Sequence, residues 1–298
     1  MDLKVYMGAM LSSSFKSHIS QILGCKVLKV EAVLGGDISK AFGVYTQTQR
    51  FFCKVNDSPC ALHMFNMEKA GLEHIERTKT IGVPKILACG QHEGISYLLM
   101  EFIASKSADS KDFETLGHQL AAMHSLAMGD SFGWQQDNYI GSLTQSNKNH
   151  PDWSLFYVQE RLLPQLITAR EKRLLGPDEI PTENSLVKGC QQFFTHTKPA
   201  LLHGDLWSGN YCIDTHGLPY LIDPAVYYGH HEVDIAMTKL FGGFGTSFYD
   251  AYSEHFPGID GAKERTDIYQ LYYLLVHLNL FGTSYYSAVK HLLKKYFD

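Results

Sequence analysis

The sequence predicts an α+β chain of two lobes, an N-terminal antiparallel-sheet lobe over residues 1–103 and a mainly helical C-terminal lobe over 104–298. Three observations carry that prediction. Before Ala104, short β-rich runs with apolar–polar alternation are separated by glycine-bearing turns. From Phe113 onward, apolar residues recur at three- and four-residue spacing, the period of a helix face. The chain has 298 residues, 45% hydrophobic and 19% charged, enough for two sizeable cores and typical of globular sequences.

In chain order, residues 8–23 read as a leading helix, and residues 25–34 and 42–48 as two strands. Gly35, Gly36, Asp37, Ile38 and Ser39 form the turn between them. Glycine lets backbone N–H groups approach phosphate oxygens, because no Cβ intervenes, and Ser39 adds a hydroxyl. A plain hairpin turn would look the same. Residues 50–55 read as a third strand, with Phe52 and Lys54 on one face and Phe51, Cys53 and Val55 on the other. Residues 62–80 read as a helix whose apolar stripe holds Met64, Phe65, Leu72 and Ile75, with Glu68 in its midst. A carboxylate facing a core needs a cation, and Lys54 is the candidate.

Residues 83–88 and 95–100 read as two more strands, turned over 90–94. The apolar run then ends at Glu101, Phe102, Ile103 and Ala104, the candidate boundary. Backbone at such a place can bond an adenine edge while apolar side chains cover the ring; a simple strand-to-helix connection is the alternative. Phe113, Leu116, Gly117, Leu120, Met123 and His124 share a helix face, with His124 read as a core histidine. Residues 129–149 read as a long polar loop, and 153–172 and 183–197 as helices. The aromatic tail over 266–281 reads as a buried helix, with His277 and Asn279 as polar exceptions facing a pocket. Lys290, Lys294 and Lys295 suit the C-terminal end of a last helix.

The chemistry gathers in Leu201-Leu202-His203-Gly204-Asp205-Leu206-Trp207-Ser208-Gly209-Asn210. Asn210 lies five positions after Asp205, and Asp223 ends an apolar run eighteen positions after it. Between them, residues 211–222 read as a hairpin that would deliver Asn210 and Asp223 to one point. Phosphoryl transfer from ATP needs such groups: a carboxylate to accept the hydroxyl proton, and an amide oxygen and a second carboxylate for magnesium. On this reading Asp205 is the base, and Asn210 and Asp223 are the metal ligands. Lys54, fixed by Glu68, faces the donor phosphates. Trp207 either stacks on the acceptor or braces the loop. Glu232 and Asp234 organise the acceptor pocket or the catalytic loop, with helix capping as the plainer role for Asp234. The run His230, His231, Glu232, Asp234 lacks the spacing of a transition-metal site.

The net charge of −5 gives no electrostatic case for nucleic acid or an anionic membrane. The six cysteines form no Cys-x-x-Cys pair, and no run approaches the length of a bilayer span. The N-terminus lacks a sustained apolar core and does not read as a secretory signal. The expectation is a soluble, cytoplasmic chain with reduced thiols.

The assembled pattern resembles the fructosamine kinase (ketosamine 3-kinase) family, a branch of the protein-kinase-like fold, and its bacterial members most. The matches are Gly35-Gly36-Asp37-Ile38, Phe52-Cys53-Lys54, the helix bearing Glu68 and Leu72, Val83-Pro84-Lys85, residues 201–210 with Trp207-Ser208-Gly209, Asp223-Pro224-Ala225-Val226-Tyr227-Tyr228-Gly229, and Tyr269-Gln270-Leu271-Tyr272. His231 stands where the resemblance leads one to expect arginine. The resemblance implies phosphorylation of a ketosamine at its 3-hydroxyl, with ATP and Mg2+ as cofactors, and release of the amine thereafter. The residues themselves, apart from the resemblance, lead to acceptor contacts being expected from Trp207, Glu232, Asp234 and His277. Two other readings share the skeleton: a small-molecule kinase of the aminoglycoside or choline type, and a nucleotide-binding scaffold without catalysis.

Overall fold

The computed structural model describes residues 12–33, 38–195 and 197–298. Gly35, Gly36 and Asp37 of the expected phosphate turn, and the start of the leading helix, lie outside the described residues. The chain divides into two compact units, residues 1–73 with 83–104, and residues 74–82 with 105–298.

The first unit is a five-stranded antiparallel sheet with a helix on each face. In chain order it holds α1 (Ser13–Leu23), β1 (Lys29–Val33), β2 (Lys40–Tyr45), β3 (Arg50–Asn56), α2 (Ala61–Thr78, whose last turn belongs to the second unit), β4 (Ile86–His92) and β5 (Ile95–Glu101). The strand order is β1-β2-β3-β5-β4. Alternation decides which side chains meet which helix. Cys53, Val55, Tyr97 and Leu99 cluster with Phe15 and Ile19 of α1. Leu98, Met100 and Phe52 cluster with Phe65 of α2. Burying a side chain such as Phe65 contributes about 1.5–3 kcal/mol. Lys54 shares the Phe52 face, which aims it at α2. One expected boundary moves: the turn falls at Glu93 and Gly94, both at positive φ, while Gly90 lies within β4 because it sits under the Tyr97 ring.

The second unit begins with β6 (Ser105–Lys106) and α3 (Ser110–Leu126). Asp109 caps α3 through the amides of Lys111 and Asp112, and the Asp112 carboxylate reaches back to the Asp109 amide. The polar stretch expected as a loop contains a hairpin, β7 (Asn138–Ile140) and β8 (Leu143–Gln145). Then come α4 (Trp153–Phe156), a π-helical turn (Tyr157–Leu162) and α5 (Leu163–Glu171), which together fill the helix expected over 153–172. The helix expected to reach residue 197 is α6 (Glu183–Gln191) and stops earlier. Strands β9 (Ala200–Leu202), β10 (Tyr211–Asp214), β11 (Pro219–Leu221) and β12 (Tyr227–Gly229) follow. Helices α7 (Glu232–Phe241), α8 (Thr246–His255), α9 (Ala262–Phe281) and α10 (Tyr286–Phe297) complete the unit.

Helix α9 is buried nearly all round, as the aromatic tail predicts, and Asn279 joins that interior instead of facing a pocket: its amide donates to the Gln165 side chain at 2.8 Å. Helices α3 and α8 meet closely at Gly117, where a Cβ would stand 2.4 Å from the Phe248 carbonyl. No described helix is long and apolar enough to cross a membrane.

Candidate active site

Strand β9 ends on Leu202 and hands the chain to His203-Gly204-Asp205. The β10–β11 hairpin pairs Tyr211 with Leu221 and Ile213 with Pro219, which brings Asn210 and Ile222 side by side. The Ile222 amide donates to the Asn210 carbonyl at 3.0 Å. The Asp214 carboxylate closes the turn by accepting from the amides of His216 and Leu218. Asn210 Nδ2 donates to the Asp205 carbonyl at 2.8 Å and to its carboxylate at 3.2 Å. Asp205 and Asn210 are thus joined as their spacing predicts.

His203 ties this loop to the segment carrying Asp223. Its Nε2–H donates to the Ile222 carbonyl at 2.8 Å, and its Nδ1 accepts the Asp205 amide at 3.2 Å. The Ala225 amide donates to the His203 carbonyl at 2.8 Å. A Cβ at Gly204, φ +84°, would stand 2.1 Å from the Ala225 carbonyl oxygen, so only glycine fits this crossing. Asp223 has φ +55°, a left-handed conformation that aspartate tolerates better than most residues.

Asp234, on the first turn of α7, holds the loop from beneath. It is fully buried. Its Oδ2 accepts the His203 amide at 2.7 Å and His124 Nε2 at 3.1 Å, and its Oδ1 accepts the Gly204 amide at 2.9 Å. Burial alone would raise this carboxyl, but His124 and the Gly204 amide outweigh it and hold the pKa low. Asp205 is the opposite case. Burial pushes its carboxyl up to about 7, and the Asp234 charge adds to this against the Asn210 hydrogen bond. A carboxyl in that range is a serviceable proton acceptor at neutral pH.

Of the two roles expected for Glu232 and Asp234, organising the acceptor pocket or the catalytic loop, the hydrogen bonds of Asp234 fit the second. Asp234 has no exposed surface and acts on the catalytic loop; it does not cap α7 either, since the N-cap is His231. Glu232 is gripped by Arg265 through two bonds of 2.6 and 2.8 Å. Ligand atoms of His230, His231 and Glu232 lie within 4.8 Å of one another. His230 and His231 nevertheless bond Tyr269 and Tyr252 at 2.8 and 2.9 Å. With Glu232 on Arg265, this is an internal network and not a cation cage. His124 bonds Tyr252 as well, at 2.7 Å, as a core histidine should.

Trp207 is 38% exposed, with its ring over Gly209, so it does not brace a core. His277 is half-buried among aromatic rings. In the first unit Lys54 Nζ donates to Glu68 at 2.8 Å, both side chains largely buried. The Ser39 hydroxyl accepts from Asn56. Glu101 closes β5 with its amide on the Lys85 carbonyl, and Phe102 lies under the Arg50 guanidinium at 3.6 Å; Ile103 is partly covered and Ala104 exposed.

Four supporting residues went unforeseen. Tyr273 donates its hydroxyl to the Gly204 carbonyl at 2.9 Å. Asn138 and Gln145 donate to the carbonyls of Val226 and Ala225, at 2.8 and 3.2 Å. Tyr272 then donates to Gln145 at 2.7 Å. The tyrosine-rich run from Tyr269 and the amides within the polar stretch were the available signals.

The donor set suits magnesium. Asn210 and Asp223 offer hard oxygens, and because the Asn210 amide nitrogen is engaged by Asp205, its oxygen is the group left for a cation.

Comparison with known proteins adds the family. The fructosamine kinase family model matches residues 11–298. The chain belongs to the fructosamine kinase family. It is similar to the protein called probable ketoamine kinase from Lactiplantibacillus plantarum, 40% identical over 287 residues, covering 94% of this chain and 99% of that protein. It is similar to the chloroplastic protein-ribulosamine 3-kinase of Arabidopsis thaliana, 39% identical over 276 residues, covering 91% and 83%. A solved structure from Haemophilus somnus, provisionally named fructosamine-3-kinase, superposes with a TM-score of 0.86 at 28% identity, covering 96% and 97%. Family and architecture agree on the protein-kinase-like fold, an antiparallel-sheet unit followed by a mainly helical one, and on a phosphotransferase that acts on a hydroxyl.

Proposed function

We propose that this protein transfers the γ-phosphoryl group of ATP to the 3-hydroxyl of ketosamines, after which the phosphorylated adduct eliminates and frees its amine. The observation that supports this most is the Asp205–Asn210 pair on a loop clamped by Asp234, in a chain of the fructosamine kinase family. Asp205 accepts the proton as the acceptor oxygen forms its bond to phosphorus and ADP departs with the cleaved P–O electron pair. Asn210 and Asp223 would hold magnesium, which would supply positive charge to neutralise the donor phosphates. Lys54, oriented by Glu68, binds donor phosphate oxygens. Ser39 with Gly35, Gly36 and Asp37 covers them, and the backbone of Glu101, Phe102, Ile103 and Ala104 reads the adenine. Trp207 stacks on the acceptor sugar, and its exposure beside Asp205 favours that use. Six free cysteines suit a reducing, cytoplasmic setting.

The test is ATP consumption with magnesium against ribuloselysine, fructoselysine, an aminoglycoside and choline. Turnover on the two ketosamines alone is expected. Turnover confined to the aminoglycoside or choline would overturn the acceptor and keep the chemistry.

A further inference from the structure

The second unit carries a group of aromatic side chains that runs from the catalytic loop to the surface. Tyr273, His277 and Phe281 of α9 are spaced four residues apart and lie on one stripe. Tyr273 is fully buried, and its hydroxyl bonds the carbonyl of Gly204, the residue before Asp205. His277 is half-buried, and its Nδ1–H donates to the Tyr273 carbonyl at 2.8 Å. Phe281 is 52% exposed. The stripe therefore climbs from beneath the catalytic loop to the surface in two steps of about 6 Å each.

Three rings surround His277: Phe241 at 4.7 Å, Phe281 at 5.4 Å and Tyr285 at 5.2 Å between centroids. Phe241 ends α7 and is 42% exposed. The two glycines after it lead the chain against the catalytic loop. A Cβ on Gly243 would stand 2.5 Å from the Ser208 side chain, and the Tyr211 hydroxyl donates to the Gly243 carbonyl at 3.0 Å. Ser208 adjoins the exposed Trp207. The aromatic group thus continues the surface that begins at the loop bearing the base, with half-open phenyl rings where an ordinary helix surface carries polar residues.

We propose that Phe241, His277, Phe281 and Tyr285 form the subsite for the substituent on the ketosamine nitrogen, and that it selects aromatic and apolar substituents over small polar ones. The proposal rests on the ketosamine reading. In a ketosamine the nitrogen is four bonds from the accepting oxygen, so its substituent begins about 5 Å away. The segment that follows Phe241 meets the catalytic loop at Ser208, three residues after Asp205.

The experiment measures kcat/KM for two ribulosamines that differ only in the amine, one made from benzylamine and one from ethanolamine. Wild-type protein is expected to favour the benzylamine adduct by about tenfold, a discrimination typical of an apolar pocket. In Phe281→Ala and Phe241→Ala the ratio of the two constants collapses toward one. A loss of folding would lower both constants and leave the ratio in place, and Phe281→Leu, which restores apolar volume, recovers part of it. A ratio unchanged in both alanine variants overturns the proposal. So does a wild-type dimer that dissociates in Phe281→Ala by sedimentation, which would give the patch to a second copy of the chain. If wild-type protein turns over neither adduct yet phosphorylates another alcohol, the ketosamine reading itself has failed and takes the subsite with it.

Discussion

At Asp234, three donors converge on one buried carboxylate, and two of them are backbone amides of the loop that presents Asp205. Removing that acceptor leaves buried donors without a partner, so Asp234→Ala is expected to cost about 3–5 kcal/mol of stability and to abolish turnover. Chemical denaturation with a steady-state assay checks both. Lys54→Met removes the cation that meets Glu68 along its apolar stripe, and kcat/KM for ATP should fall by about 10²-fold or more; an unchanged value would remove Lys54 from phosphate binding. The placement of Asp205, Asn210 and Asp223 around one hairpin was legible, because their offsets along a strand–loop–hairpin are fixed by backbone geometry. The role of Asp234 was only half legible. Sequence marks a carboxylate at a helix start, but the amides it accepts from are thirty residues away and appear only in the fold.

Among the elements, the β10–β11 hairpin was readable, because apolar strands flank a turn with Asp214 and Gly217. The β7–β8 hairpin was not. Its strands are three residues long and two of its three buried side chains, Asn138 and Gln145, are amides, so composition spoke for a loop. What makes it an element is the pair of carbonyls after Asp223 that Asn138 and Gln145 satisfy, with Arg161 stacked over Tyr227 and bonded to Asn147 behind them. Gln145→Leu strands the Ala225 carbonyl and the Tyr272 hydroxyl, and is expected to destabilise the protein by about 1–3 kcal/mol in urea titrations. A neutral effect would show that water replaces the amide.

Over the whole molecule, buried histidines set the response to acid. Burial, reinforced by His124 and Arg265, lowers the His231 pKa to about 3, and burial with the His231 charge holds His230 well below 6.5. Both bind protons more readily in the unfolded chain. Their contribution is therefore complete above about pH 6.5 and is lost as pH falls toward the folded value. Each should cost about 1.4 kcal/mol per pH unit in that window, which melting temperatures between pH 7 and 5 would register; a His231→Phe variant should melt with a shallower pH slope. The division into a sheet unit and a helical unit was visible from the switch in period near Ala104, whereas the assignment of residues 74–82 to the helical unit was not, since that segment continues a helix begun in the sheet unit. On the proposed function, Asp205 receives the proton of a ketosamine 3-hydroxyl while ATP gives up its γ-phosphoryl group. The most direct measurement is phosphorus NMR of the product formed from ribuloselysine by wild-type protein and by Asp205→Asn. The wild type is expected to give a 3-phosphoketosamine, and the variant a rate about 10²–10⁴-fold lower with ATP still bound. Phosphate on a different oxygen, or near-normal turnover by Asp205→Asn, would remove Asp205 from that role.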